Sequence, residues 1–225
     1  MARILLIETS ASALSVALAM DGVVAAESVC LEPRRQASLT APLVKEVLDK
    51  AGVGVKDCDA IAVSAGPGSY TGLRVGVSTA KGLAFGAGKP LIAVGTLDIL
   101  VAGVAPGSAG CIVPMLDARR MEVYTAVYNA GGERLTPIEA KVITADSFSE
   151  ELSRGPVLFV GDGALKCQAV LTHPNARFQE ALPMARDMAR LAQKAYEEGK
   201  FEDLAYYEPF YLKDFVATVS KTKLW

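Results

Sequence analysis

A run of strand, turn and strand written twice, 109 residues apart, predicts an α/β chain built as two mixed-sheet lobes. Three observations carry this. Apolar runs at 4–8 and 111–117 each end in a carboxylate, Glu8 and Asp117. A turn and a second strand follow each of them, at 14–19 and 123–128. Asp21-Gly22 in the first half and Gly131-Gly132 in the second then send the chain into a third strand. Helices and strands alternate after each triple, so both halves read β-β-β-α-β-α, with a cleft expected between them.

In the first half, Leu39, Leu43, Val44, Val47, Leu48 and Ala51 recur at helical spacing and predict a helix over about 38–51. Thr40 is its expected cap, because Pro42 fits easily only near a helix start. Strand 60–64, helix 71–86, strand 91–95 and helix 97–104 complete this half. The second half gives helix 145–153, strand 157–160, helix 164–171 and a long helix over 184–199. Residues 1–105 and 106–204 are therefore the expected lobes, in the arrangement of a duplicated actin-like (ASKHA) fold. Residues 205–225 are a tail expected to return to the first lobe.

Composition narrows the function classes. The 225 residues are 51% hydrophobic and 21% charged, a globular mix. No apolar run approaches the roughly 18 residues that span a bilayer, and the N-terminal run is too short for a signal-peptide core. A cytoplasmic protein without a membrane partner is the expectation. Cys30, Cys58, Cys111 and Cys167 form no C-x-x-C pair, and His173 is the lone histidine. A zinc ribbon, a histidine metal centre and a Ser-His-Asp triad are thus disfavoured, and no metal is expected. With net charge −2 and a pI near 5.6, most of the charge needed to bind nucleic acid must come from elsewhere. Arg34, Arg35, Arg119, Arg120, Lys221 and Lys223 are left as basic residues that could add local contacts within a complex.

The chemistry-bearing residues gather at strand ends. Glu8 and Asp117 either hold a magnesium–nucleotide or cap the turns that follow. Thr9 and Ser10 continue the first of these turns. The string 65–74, Ala-Gly-Pro-Gly-Ser-Tyr-Thr-Gly-Leu-Arg, joins a strand to a helix. Its Gly66 and Gly68 permit close backbone approach, and Ser69 and Thr71 stand at a helix N-terminus that could meet an anion. No Lys-Ser or Lys-Thr follows, so it is not a Walker A loop, and a capped turn is the alternative. Gly161 and Gly163 are a further nucleotide candidate.

Helix 71–86 is apolar nearly all round, with Arg74 and Lys81 its only charges. Gly72, Gly76, Ala80 and Ala84 recur every four residues, flanked by Leu73, Val77 and Leu83. This ridge, with Leu39, Leu43 and Val47 beside it, is the expected partner surface and the seat of a homodimer in isolation.

Residues 4–9, the 65–74 loop and the string 116–124, Leu-Asp-Ala-Arg-Arg-Met-Glu-Val-Tyr, resemble the TsaB (YeaZ) family. Residues 208–213, Glu-Pro-Phe-Tyr-Leu-Lys, resemble that family's C-terminal signature. The resemblance implies a subunit of the machinery that places a threonylcarbamoyl group on the adenosine beside the anticodon. It implies pairing with the catalytic TsaD and the ATPase TsaE, and contact with tRNA only within the complex. It implies no catalytic residue and no cofactor of its own, with ATP or ADP entering at the junction with partners. Two positions depart from the family pattern: Gln36 where relatives keep histidine, and Glu8 where aspartate is usual. The alternative is a small actin-like ATPase or kinase using Glu8 and Asp117 with magnesium.

Overall fold

A computed structural model describes residues 1–213 apart from Pro106 and Ser108. Lys221 and Lys223 lie outside the described residues. The first half is β1 (Arg3–Glu8), β2 (Leu14–Met20), β3 (Val23–Cys30), α1 (Gln36–Ala51), β4 (Ala60–Gly66), α2 (Tyr70–Ala87), β5 (Leu91–Gly95) and α3 (Thr96–Ala102). The second is β6 (Cys111–Asp117), β7 (Glu122–Thr125), β8 (Tyr128–Asn129), β9 (Glu139–Val142), α4 (Ser149–Arg154), β10 (Val157–Val160), α5 (Ala164–Cys167), β11 (Ala176–Gln179) and α6 (Ala189–Glu197).

The duplication is plain in the strand order. The first sheet runs β3-β2-β1-β4-β5 and the second β9-β7-β6-β10-β11, the same order with each strand replaced by its counterpart. In each sheet the central strand pairs antiparallel on one side and parallel on the other. The second copy is the weaker. The counterpart of β2 is broken into β7 and β8, and the third strand shrinks to the four residues of β9. Strand β11 is absent from the sequence expectation, because its four residues hold only Ala176 and Phe178 as apolar positions, between Arg177 and Gln179.

Apolar side chains alternate across β1, as a strand covered on both faces requires. Leu5 and Ile7 join Val47, Val77 and Ala84 under α1 and α2, while Ile4 and Leu6 face Met188 and Ala192. That second contact differs from the sequence partition. Helix α6 belongs to the second half in chain order, yet it covers the first sheet. Conversely, α3 from the first half sends Leu97, Leu100 and Val101 into the second lobe against Ile112, Tyr128 and Val160. The halves exchange their last helices.

Helix α1 starts at Gln36, and no side chain caps it. Thr40 lies inside the helix instead, its hydroxyl donating to the Gln36 carbonyl at 2.6 Å. Pro42 sits in the second turn, where it has no N–H to donate to the Ser38 carbonyl. The ridge assigned to a partner is also corrected. Gly72, Leu73, Gly76, Val77, Ala80 and Ala84 are all buried within this chain, as are Leu43 and Val47. Leu39 and Leu83 pack against the same core, half-buried. Residues 202–213 lie on the first lobe. Lys81 Nζ donates to the carbonyls of Ala205 and Tyr207, and Phe210 N–H donates to Ala65 O at 2.7 Å.

Candidate functional site

A cleft of about 1250 Å³ opens between the lobes. The turn after β1, the β3–α1 loop and the 65–74 loop form one wall; the β6–β7 turn forms the other, and Phe210 to Lys213 close one end.

Glu8 does not face this cleft. It is fully buried, and its Oε1 accepts the Ser10 N–H at 2.6 Å while Oε2 finds no partner among the described residues. Burial pushes its carboxyl from the usual 4.5 up to about 7, against the pull of the Ser10 hydrogen bond. The hydroxyls of Thr9 and Ser10 are likewise buried without partners among the described residues. Asp117 does line the cleft, half-exposed, but it is engaged there. Its Oδ1 accepts the Arg119 N–H at 2.8 Å and is salt-bridged to Lys166, whose ammonium also donates to the Glu122 carbonyl. Glu8 and Asp117 therefore end equivalent strands without sharing one open site.

The glycines of both candidate phosphate loops are filled by the protein's own backbone. A β-carbon on Gly68 would overlap Ser10 O, and one on Gly72 would overlap Thr9 O. One on Gly66, at φ +103°, would meet Phe210 O at 2.6 Å. Ser69 N–H donates to Ser10 O at 2.6 Å, and Ser69 Oγ caps α2 by accepting Gly72 N–H at 3.2 Å. Thr71 is exposed on the cleft wall. Gly161 would overlap Met115 O, and Gly163 N–H donates to that same oxygen, so this pair serves to press the β10–α5 turn onto β6. Amides committed in this way do not offer an anion a ready-made cradle.

Several cleft residues were not singled out in the sequence. Asp162 accepts Asp117 N–H at 2.9 Å, and burial raises its carboxyl above the ordinary range. Tyr211 packs on Tyr70 with centroids 4.9 Å apart, and Arg74 lies over the Tyr70 ring at 4.3 Å. Lys213 is salt-bridged to Glu122 and so ties the tail to the second lobe. Asp162 sits inside the glycine pair already noticed; nothing local in the sequence places Tyr211 or Lys213.

The family model for TsaD, tRNA N6-adenosine threonylcarbamoyltransferase, matches residues 33–221. The tRNA threonylcarbamoyladenosine biosynthesis protein TsaB of Escherichia coli K12 is 34% identical over 226 residues, covering 96% of each chain. This chain belongs to the TsaB family. YeaZ from Pseudomonas aeruginosa superposes with a TM-score of 0.83 at 30% identity, over 94% of this chain and 100% of that one. A more distant likeness shows the fold alone: the activator of the 2-hydroxyisocaproyl-CoA dehydratase from Clostridium difficile, TM-score 0.52 at 11% identity, covering 88% and 96%. The duplicated actin-like architecture and the TsaB resemblance both hold, and the family ties the chain to threonylcarbamoyladenosine formation in tRNA. No helix among the described residues of this TsaB-family chain is long and apolar enough to cross a membrane.

Proposed function

We propose that this chain is a non-catalytic subunit of the assembly that transfers a threonylcarbamoyl group from threonylcarbamoyl-adenylate to the adenosine beside the tRNA anticodon. It pairs with the catalytic TsaD, and the ATPase TsaE joins them in the cytoplasm. The observation that carries this is the state of the two strand-end carboxylates. Glu8 is sealed from solvent and Asp117 is neutralised by Lys166, so neither stands free to hold magnesium or move a substrate proton. The ATPase or kinase alternative needs both. A nucleotide, ATP or ADP, would enter only at the junction with partners, with no cofactor held by this chain alone.

The pairing surface belongs on the outward side of α2, since its inner side is spent on the core. Ser78, Gly82, Phe85 and Gly86 are exposed there, Phe85 by 81%. Burying that ring against a partner would contribute roughly 2 kcal/mol, and the isolated chain would self-associate through the same face. The test is genetic and chemical. Supplied to a bacterium depleted of its own TsaB, this chain should restore threonylcarbamoyladenosine in hydrolysed tRNA, measured by mass spectrometry, only while TsaD is present. Transfer by the purified chain without TsaD would overturn the proposal.

A further inference from the structure

The cleft mouth carries charge that nothing in the chain uses. Arg34 on the first wall and Arg119 and Arg120 on the second line the same opening and are exposed. None of their guanidinium groups has an ion pair or hydrogen bond among the described residues. The acids around them are already engaged: Glu32 with Arg35, Asp117 with Lys166, Glu122 with Lys213. Asp162 is held at the Asp117 amide and pushed toward its neutral form by burial. Three positive charges are left uncompensated on a protein whose net charge is −2.

Their backbone sets them apart as well. Arg34, Arg119 and Arg120 stand at φ +65°, +73° and +54°, a region where L-residues other than Asn and Asp are uncommon. The Arg119 turn is pinned by Arg119 N–H on Asp117 Oδ1 and by Glu122 N–H on Arg119 O at 3.1 Å. Arg119 and Arg120 therefore project from a pinned turn on one wall, with Arg34 on the other.

We infer that the cleft mouth binds the phosphodiester backbone of a single-stranded RNA segment, with Arg34 gripping from one lobe and Arg119 and Arg120 from the other. Guanidinium groups suit phosphate oxygens through paired N–H donors. Tyr124 lines the same cleft and offers a ring on which an unpaired base can stack. A free magnesium–nucleotide fits less well. The glycine-loop amide of Ser69 is committed to Ser10, and the strand-end carboxylates that would hold the metal are buried or paired. The inference rests on the tRNA role proposed above only for its choice of polyanion.

Fluorescence anisotropy of the full chain with a labelled 12-nucleotide single-stranded RNA in 50 mM salt tests it directly. Wild type should bind weakly but measurably. The triple variant R34Q/R119Q/R120Q should bind at least tenfold more weakly and flatten the plot of log affinity against log salt by about two. R190Q, an exposed arginine outside the cleft, should bind as wild type does. Circular dichroism of each variant establishes folding, and R119K should recover part of the loss. Absence of wild-type binding, or a triple variant that binds equally well, overturns the inference. So does displacement of the RNA by ATP–magnesium below the RNA's own dissociation constant, which would mark a nucleotide site. The tRNA role is read separately: complementation by wild type together with unchanged RNA binding in the triple variant sinks this site and leaves that role standing.

Discussion

The carbonyl oxygen of Thr9 lies so close to the α-carbon of Gly72 that a β-carbon there would overlap it. The Thr9 hydroxyl stands in the same relation to Gly76, one turn further along α2. The turn after β1 is thus packed directly onto the start of this helix, and the glycines of α2 make that approach feasible.

Two substitutions in one helix should consequently have opposite signs. Gly72→Ala forces the Thr9 turn or the helix to move, at a cost of about 1–3 kcal/mol that outweighs the gain in helix propensity. Gly82→Ala meets open space and should stabilise by up to about 1 kcal/mol. Urea unfolding of both variants checks the pair; equal shifts would show that the contact does not control stability.

Ser69→Ala removes the side-chain acceptor at the N-terminus of α2 and should cost about 1 kcal/mol in the same assay. Because the loop's amide is directed at Ser10, the change should leave reconstituted transfer activity with TsaD and TsaE nearly unaltered. A large loss of activity at unchanged stability would assign the loop a direct chemical part.

Glu8 should make stability depend on pH. Its carboxyl titrates near 7 when folded against an ordinary 4.5, so between these values the folded chain holds a proton that the unfolded chain releases. Stability therefore falls as pH rises from about 4.5 through 7, with a full cost on the order of 3 kcal/mol above 7. Glu8→Gln keeps an acceptor for Ser10 N–H but cannot ionise. It should be more stable than wild type at pH 8 and nearly equal to it at pH 4.5, by urea midpoints at both values.

Phe85→Asp should weaken association with TsaD more than tenfold, read by titration calorimetry, with native circular dichroism. Ala80→Arg, which drives a charge into the core under α2, should instead unfold the lobe. Native folding of the Ala80 variant together with normal binding by the Phe85 variant would remove α2 from the pairing surface.

Much of this architecture was legible because it is written locally. The apolar runs ending in Glu8 and Asp117, repeated 109 residues apart, carry the duplication, and small apolar residues outline α2 to within a residue. What composition and period leave open is direction. An all-apolar helix does not say which side meets its own sheet, so Gly72, Gly76 and Ala80 looked like a surface ridge, whereas Thr9 packs on the two glycines and Ala80 lies in the core. The same limit applies at the site. A glycine that admits a phosphate and one that admits a carbonyl read alike in sequence, and only the third dimension places Ser10 O or Met115 O against them. Strand β11 was missed because its alternation, Ala176 and Phe178 against Arg177 and Gln179, lasts only four residues.

The exchange of α3 and α6 bears on how the molecule is made. On a ribosome, the strands of the first sheet emerge within the first 95 residues, yet the side of that sheet bearing Ile4, Leu6, Ala62 and Ile92 is only partly covered, by Ile99 of α3, until Met188, Ala189 and Ala192 are synthesised. A nascent chain halted after residue 105 would therefore display an apolar sheet face to every chaperone and neighbour it meets. Neither half is a finished product when translated alone, and α6 closes the first lobe only after the strands of the second have been made.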